Sequence, residues 1–231
     1  MKALLLPFLV VMTASAAPKE STGDFESSTG DALSYLLIEP DPVAFPAEAK
    51  RPLVVFLHGS GERGSDLEKV KIHGPPKQAL EGLGLPFVVL APQCPPKQWW
   101  KIETVIELVK EVAANHDIDP KRIHLTGLSM GGYGTWAILA EEPDLFASAV
   151  PICGGGDPST VEAFKNLPIW AFHGEEDDVV PVENTREMET ALREAGAKQL
   201  RTTYFPGVDH DSWTPAYSDP ALYAWMMLQT K

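Results

Sequence analysis

Short apolar runs alternate with amphipathic stretches along most of the chain. Several runs contain no polar residue, which is typical of strands that are covered on both faces in a parallel sheet. They predict strands at 35–38, 53–57, 87–91, 123–126, 147–152, 169–172 and 200–204. Strands that alternate with helices predict a doubly wound α/β sheet, in which ligands bind at the carboxyl ends of the strands.

The stretches between these runs have helical periodicity. In residues 102–114 the apolar positions share one face, and most of the acidic residues lie elsewhere. Further helices are predicted at 130–141 and 183–194. A last helix is predicted to begin at Pro220, because Asp219 suits the N-cap and proline suits the first helical position.

The first 17 residues differ in character from the rest of the chain. Lys2 precedes an apolar run over residues 3–12, and small residues follow at 14–17. The run is too short to cross a bilayer, so residues 1–17 are predicted to be a secretory signal peptide. The alternative is a buried N-terminal helix. The signal peptide predicts a protein that is secreted or periplasmic.

The rest of the chain reads as one folded unit with a short extension. Residues 18–32 are polar and rich in Gly and Ser, and we expect them to form a loose leader. Residues 33–231 have a suitable length for one domain, and they contain no internal repeat. We therefore predict a single domain at 33–231.

The formal net charge of the chain is −13 at pH 7. A surface this negative repels nucleic acid and anionic lipid. We therefore expect no nucleic acid partner, and no membrane association once the signal peptide has been removed. The charge does not identify a substrate, and the sequence does not predict an oligomeric state.

The chain has two cysteines, Cys94 and Cys153, and each follows a predicted strand. Secretion would permit a disulfide, but we expect the two strands to be separated in the sheet. Two buried thiols are therefore expected, with a disulfide as the alternative. The sequence has no CxxC pair and no paired histidine motif, so no metal site is predicted.

The segment GLSMG at 127–131 matches the pattern GxSxG. It follows a predicted strand and precedes a predicted helix, where this pattern forms a sharp turn that exposes the serine Oγ. The helix N-terminus beside that oxygen favours negative charge. Ser129 is therefore the predicted nucleophile, and a plain glycine-rich turn between strand and helix is the alternative.

A serine hydroxyl needs a base, and a carboxylate orients that base. The chain order in GxSxG folds is Ser, then acid, then His, and only His173 and His210 follow Ser129. We expect His173 to shape a turn at a strand end, and we predict His210, in a later loop, as the base. Among the carboxylates between them, Asp177 is the preferred acid and Asp178 is the alternative.

The loop after the second predicted strand reads HGSGERG. Such a loop supplies one backbone donor to an oxyanion hole, and the residue after the nucleophile supplies the other. We predict the N–H groups of Ser60 and Met130 as these donors, with Gly61 as an alternative to Ser60. His58 is expected to tie down the loop through a ring nitrogen, and Arg63 is expected to form a surface salt bridge rather than bind substrate.

Four segments together resemble one family. They are HGSGERGSD at 58–66, APQC at 91–94, GLSMGGYG at 127–134 and HGxxDxxVP at 173–181. In combination they are similar to bacterial phospholipase/carboxylesterase-type proteins of the dienelactone-hydrolase and prolyl-oligopeptidase-like branch of the α/β hydrolases. The resemblance extends over residues 33–231. It implies an α/β-hydrolase fold with a mostly parallel, doubly wound sheet of about eight strands.

The resemblance also bears on the site. In that family the Asp four residues after the His of the HG motif is the triad acid, which favours Asp177 over Asp178. The residue before the catalytic His is usually Gly in the family, and here it is Asp209, at a position that does not react. The implied activity is serine esterase chemistry through an acyl-enzyme, with no metal or organic cofactor.

Only 16 residues separate the predicted strands at 147–152 and 169–172. The interval is too short for a large lid domain, so we expect an open cleft, which disfavours long-chain lipids. Trp213, Trp99 and Gly61 are candidate substrate contacts, since the tryptophan rings suit stacking on a sugar or a phenol, and packing at the rim is the alternative. The expected substrate is a small-molecule or polysaccharide-linked ester with a small or aromatic acyl group, such as acetyl or feruloyl.

Two other functions fit the same motifs less well. A serine peptidase of the prolyl-oligopeptidase-like branch would use the same core, but this chain has no propeller-sized N-terminal region to select peptides. An inactive hydrolase-fold binding protein is disfavoured because Ser129, Asp177 and His210 are all present.

Overall fold

A computed structural model describes residues 17–45, 50–81 and 84–231. The predicted signal peptide therefore lies, except for Ala17, outside the described residues. Within the described ranges, none of the helices has the length and apolar character needed to cross a membrane.

The core of the protein is one eight-stranded sheet with the order β1-β2-β4-β3-β5-β6-β7-β8. Its strands are β1 Lys19–Glu26, β2 Ala32–Glu39, β3 Arg51–Leu57, β4 Val88–Gln93, β5 Ile118–Leu128, β6 Ser148–Ile152, β7 Ile169–Gly174 and β8 Leu200–Phe205. Strands β1 and β2 are antiparallel to their neighbours, and the other six pair in parallel. All seven predicted strands are present, and the predicted mostly parallel sheet is confirmed.

Helices cover both faces of this sheet. They are α1 Gly74–Glu81, α2 Ile102–Asn115, α3 Met130–Glu141, α4 Glu183–Glu194, α5 Trp213–Ser218 and α6 Pro220–Met227. Apolar residues of α2, α3 and α4 pack on one face, and those of α1, α5 and α6 pack on the other. The doubly wound arrangement is therefore confirmed. Asp219 caps α6 as predicted, because its side chain accepts a hydrogen bond from the Ala221 N–H.

The prediction that residues 18–32 form a loose leader is wrong. Lys19–Glu26 forms the edge strand β1 and pairs with β2 along its whole length, from Lys19 opposite Glu39 to Glu26 opposite Ala32. Phe25 is the one buried side chain of this strand. The strand is therefore held by backbone pairing, and its side chains give almost no apolar pattern.

The loops that follow β3, β5, β7 and β8 meet at one edge of the sheet, where parallel strands end together. They carry Gly59, Ser129, Asp177 and His210 respectively. The segment 153–168 after β6 contains one 3-10 helix, Pro158–Ala163. No lid domain is inserted there, as the short interval predicts.

The two cysteines are free and buried, as expected. Cys94 follows β4 and Cys153 follows β6, and β3 and β5 lie between these strands in the sheet. Their separation in the sheet explains why the thiols are not bonded to each other.

Candidate active site

Ser129 lies between the end of β5 and the start of α3. Its φ is 52°, a value that residues other than glycine rarely adopt. A Cβ at Gly131 would collide with the Leu57 carbonyl, and one at Gly127 would collide with the Gly131 carbonyl. The turn therefore needs both glycines, and it holds the serine in a strained conformation of the kind found at functional sites.

The structure brings the predicted nucleophile, base and acid together. His210 Nε2 lies 2.9 Å from Ser129 Oγ, and His210 Nδ1 lies 2.7 Å from Asp177 Oδ2. Because a carboxylate oxygen accepts hydrogen bonds, Nδ1 carries the proton in the neutral ring. Nε2 is then the acceptor for the serine hydroxyl, which is the arrangement that a general base requires.

Asp177 is held by four donors. Its Oδ1 accepts hydrogen bonds from the N–H groups of Val179 and Val180, at 2.9 and 2.8 Å. Its Oδ2 accepts from His210 and, at 3.1 Å, from Nε2 of His173. The Asp177 side chain has no exposed surface, whereas Asp178 is exposed. The structure therefore brings Asp177, and not Asp178, to the base.

The sequence predicts only a turn-shaping role for His173, but the structure also places this residue against Asp177. Its Nε2 lies near two acceptors, Asp177 Oδ2 and the Val180 carbonyl at 2.9 Å, so Nε2 carries the proton. Its Nδ1 then accepts from the Thr185 hydroxyl at 2.7 Å. Burial lowers the pKa of His173 and outweighs the hydrogen bonds to Val180 and Asp177, which act to raise it. His173 shapes the turn as expected, and it also orients the acid.

The two residues that carry the predicted oxyanion donors are each the first residue of a helix. Met130 is the first residue of α3, and Ser60 is the first residue of the 3-10 helix Ser60–Glu62. The N–H groups at a helix start have no acceptor within the helix, so they are available to an anion. Gly61 is exposed, and a Cβ built on it would meet nothing within 4 Å.

His58 ties down the loop after β3 in the way that the sequence predicts. Its Nδ1 donates to the Gly59 carbonyl at 2.6 Å, and its Nε2 accepts from the Cys94 N–H at 2.9 Å. Burial lowers the pKa of His58 to about 4, so the ring is neutral at pH 7. Arg63 forms no salt bridge with any residue that the structure describes, contrary to expectation; it donates to the carbonyls of Ser60 and Gln98.

The two predicted tryptophans lie in different places relative to the site. The Trp213 ring meets the His210 ring edge-on, with centroids 5.2 Å apart. Trp99 is 63% exposed and meets Tyr133 edge-on at 6.2 Å. Trp99, Tyr133 and Gly155 line a groove of about 490 Å³ beside α3. Trp213 therefore lies against the predicted base, and Trp99 lies on the surface next to the helix that begins after Ser129.

One cluster of metal-binding residue types coincides with this site. The ligand atoms of Cys153, Asp177 and His210 lie within 4.8 Å of one another. Burial raises the pKa of the Cys153 thiol to about 12, whereas a metal needs the thiolate. Asp177 and His210 are also hydrogen-bonded to each other. The cluster is therefore better suited to proton transfer than to holding a metal.

A strained serine at a helix start, a histidine in contact with it and a buried aspartate, all at the carboxyl edge of a mostly parallel sheet, define the α/β-hydrolase class. Residues 96–219, more than half of the chain, match the dienelactone hydrolase family of that superfamily. The chain belongs to the dienelactone hydrolase family.

Two curated relatives illustrate the range of this similarity. Poly(3-hydroxyalkanoate) depolymerase C of Paucimonas lemoignei is 29% identical over 158 residues, which cover 64% of this chain and 37% of the relative. The bifunctional acetylxylan esterase/xylanase XynS20E of Neocallimastix patriciarum is 27% identical over 149 residues, which cover 62% of this chain and 21% of the relative. The chain therefore spans less than half the length of either relative.

Two solved structures are also similar. A thermostable esterase is 37% identical with a TM-score of 0.78, over 92% of this chain and 63% of that one. A ferulic acid esterase is 18% identical with a TM-score of 0.67, over 91% of this chain and 96% of that one. At this identity the second likeness concerns the fold alone. The likeness to the thermostable esterase confirms the predicted α/β-hydrolase architecture.

Proposed function

We propose that the protein is a serine esterase that hydrolyses carboxylic esters through an acyl-enzyme on Ser129. The observation that carries the proposal is the hydrogen-bonded line from Ser129 Oγ through His210 to the buried Asp177. Membership of the dienelactone hydrolase family supports the same chemistry.

In the first half of the reaction, Ser129 Oγ attacks the ester carbonyl carbon while His210 Nε2 takes its proton. The carbonyl oxygen becomes an oxyanion, which the N–H groups of Ser60 and Met130 stabilise. As the tetrahedral intermediate collapses, the bond to the alcohol oxygen breaks, and His210 returns the proton to that oxygen. The products of this half are a free alcohol and an acyl-serine.

In the second half, water replaces the alcohol. His210 takes a proton from the water, whose oxygen attacks the acyl carbon, and then donates that proton to Ser129 Oγ as the acid leaves. Asp177 holds the His210 tautomer and stabilises the imidazolium, and it does not itself take a proton. Its four hydrogen-bond donors keep the carboxylate in place for this task.

For substrate, we propose esters with small or aromatic acyl groups, such as acetyl or feruloyl groups on a polysaccharide. The short segment 153–168 leaves the site without a lid, and the groove at Trp99 and Tyr133 offers an aromatic surface beside it. Similar proteins include an acetylxylan esterase and a ferulic acid esterase. A polymeric substrate also fits the secretion that residues 1–17 predict.

The direct test assays the purified protein, Ser129→Ala and the exposed control Ser159→Ala. The substrates are p-nitrophenyl acetate, butyrate and octanoate, methyl ferulate, acetylated xylan and a prolyl-amide reporter. We expect ester turnover by the wild type and the control, but not by Ser129→Ala, and no change after dialysis against EDTA. Absence of ester turnover, or equal turnover by Ser129→Ala, would overturn the proposal, and preference for the amide would favour a peptidase.

A further inference from the structure

A wall of polar and aromatic side chains connects the loop after β3 to the loop that carries His210. Glu62 Oε1 lies 3.9 Å from His73 Nε2. The His73 ring meets the Trp213 ring edge-on at 5.5 Å, and Trp213 meets His210 at 5.2 Å. The wall therefore runs from Glu62 through His73 and Trp213 to the proposed base. Neither Glu62 nor His73 has a part in the reaction described above.

Glu62 is buried close to the nucleophile. The residue is 8% exposed, and its Oε2 accepts no hydrogen bond from any described residue. A Cβ built on Gly59 would lie 3.2 Å from Glu62 Oε2 and 3.6 Å from Ser129 Cβ. The Glu62 carboxylate and the Ser129 side chain therefore both border Gly59.

The neighbouring histidines do not satisfy this carboxylate. His58 Nδ1 is 4.0 Å from Glu62 Oε2, and its proton is directed to the Gly59 carbonyl. At pH 7 the His58 ring is neutral, because burial lowers its pKa to about 4. The 3.9 Å contact with His73 is too long for a hydrogen bond. A buried carboxylate oxygen without a donor is costly, so a donor from a ligand would be bound firmly.

The same wall also presents a donor. The indole N–H of Trp213 is buried, and it has no acceptor among the described residues. The Glu62 acceptor and the Trp213 donor together suit a ligand group that can both donate and accept a hydrogen bond. A hydroxyl does both, whereas an ammonium can only donate, and a carboxylate or carbonyl can only accept.

We propose that Glu62 and Trp213 bind a hydroxyl group of the substrate beside the reacting carbonyl, so that the enzyme selects hydroxylated esters. This inference rests on the proposed esterase function and names a chemical feature of its substrate. The hydroxyl has two possible sources: a hydroxy acid on the acyl side, or a polyol or sugar on the alcohol side. Both sources present the same O–H to the wall.

Two matched ester pairs distinguish the sources. Methyl 3-hydroxybutyrate against methyl butyrate varies the acyl side, and glycerol monobutyrate against propyl butyrate varies the alcohol side. We expect the wild type to prefer the hydroxylated member of at least one pair in kcat/KM. In Glu62→Gln that preference should fall by roughly 10- to 100-fold, because hydrogen bonds to a charged group are among the stronger ones. Glu68, an exposed acid in the 3-10 helix Leu67–Lys71, provides the matched control, because Glu68→Gln should keep the wild-type preference.

A merely structural role for Glu62 would lower turnover of both members of a pair equally and leave the preference unchanged. That result overturns the inference, as does a wild type that prefers neither hydroxylated ester. Trp213→Phe keeps an aromatic ring but removes the indole N–H, so it should also reduce the preference, which keeps the inference testable if Glu62→Gln does not fold. If Ser129→Ala hydrolyses the esters as fast as the wild type, the proposed function itself has failed.

Discussion

His210 Nδ1 and Asp177 Oδ2 lie 2.7 Å apart, although 33 residues separate them in the chain. This contact should be essential to turnover, because it sets which ring nitrogen faces Ser129. We expect Asp177→Asn to lower kcat by about 10⁴-fold, since an amide can favour the wrong tautomer of the base.

The neighbouring carboxylate is the matched control for this prediction. Asp178 is exposed, and Asp178→Asn should keep nearly all of the wild-type kcat for p-nitrophenyl acetate. Equal losses in the two variants would mean that charge in the loop, rather than the contact with His210, is what matters.

His173 should influence turnover without contacting substrate. His173→Leu removes a donor to Asp177 and leaves the Thr185 hydroxyl without its ring partner. We expect kcat to fall by roughly 10- to 100-fold through misplacement of the acid, with KM nearly unchanged. The control is His116→Gln, at an exposed histidine. A rise in KM alone would contradict a role for His173 in positioning Asp177.

Much of this site follows from the order of strands and loops in the sequence. GxSxG between a strand and a helix predicts where Ser129 lies, and apolar runs predict central strands such as β3 and β6 because those strands are covered on both faces. Strand β1 is missed because Phe25 alone of its side chains is buried. The burial of Glu62 is not predicted either, for another reason. A charged residue in a loop is usually exposed, and Glu62 is enclosed only because separate loops of the folded chain pack around it.

Stability should fall as the pH is lowered from about 6.5 to 4. Burial lowers the pKa of His124 to about 3 and that of His58 to about 4, from an ordinary value of 6.5. Between these values the unfolded chain binds protons that the folded chain does not bind. Each such histidine therefore reduces the free energy of unfolding by up to about 1.4 kcal/mol per pH unit as the pH falls.

Urea denaturation at several pH values between 6.5 and 4.5 measures this slope. In His124→Gln the slope should be smaller than in the wild type, because one of the buried histidines with a lowered pKa has been removed. An identical slope in the two proteins would show that His124 is not the neutral, buried group that its position implies.

The two thiols should be unreactive in the folded protein. Cys94 and Cys153 are fully buried, and burial raises their pKa values to about 11 and 12. We expect neither to react with Ellman's reagent at pH 8 until the protein is unfolded, when both should react. A gain in mass on reduction would instead reveal a disulfide.

Trp99 should matter for polymers and not for small esters. It is exposed at the rim of the groove, beside Tyr133 and away from the reacting atoms. Trp99→Ala should keep the wild-type kcat/KM for p-nitrophenyl acetate and lower it about tenfold for acetylated xylan, through loss of one stacking contact. Equal kcat/KM on the polymer in the two proteins would assign the ring to rim packing alone.

The short segment between β6 and β7 affects how the enzyme acts on insoluble or aggregated esters. Residues 153–168 contain one 3-10 helix, Pro158–Ala163, and no inserted lid, so an oil–water interface has nothing to open in this segment. Rates on a short-chain ester should therefore rise smoothly through its critical micelle concentration, without the jump known as interfacial activation. On the proposed function, the same exposure should let an ester group that projects from a solid fibre reach Ser129 without first being detached from the fibre.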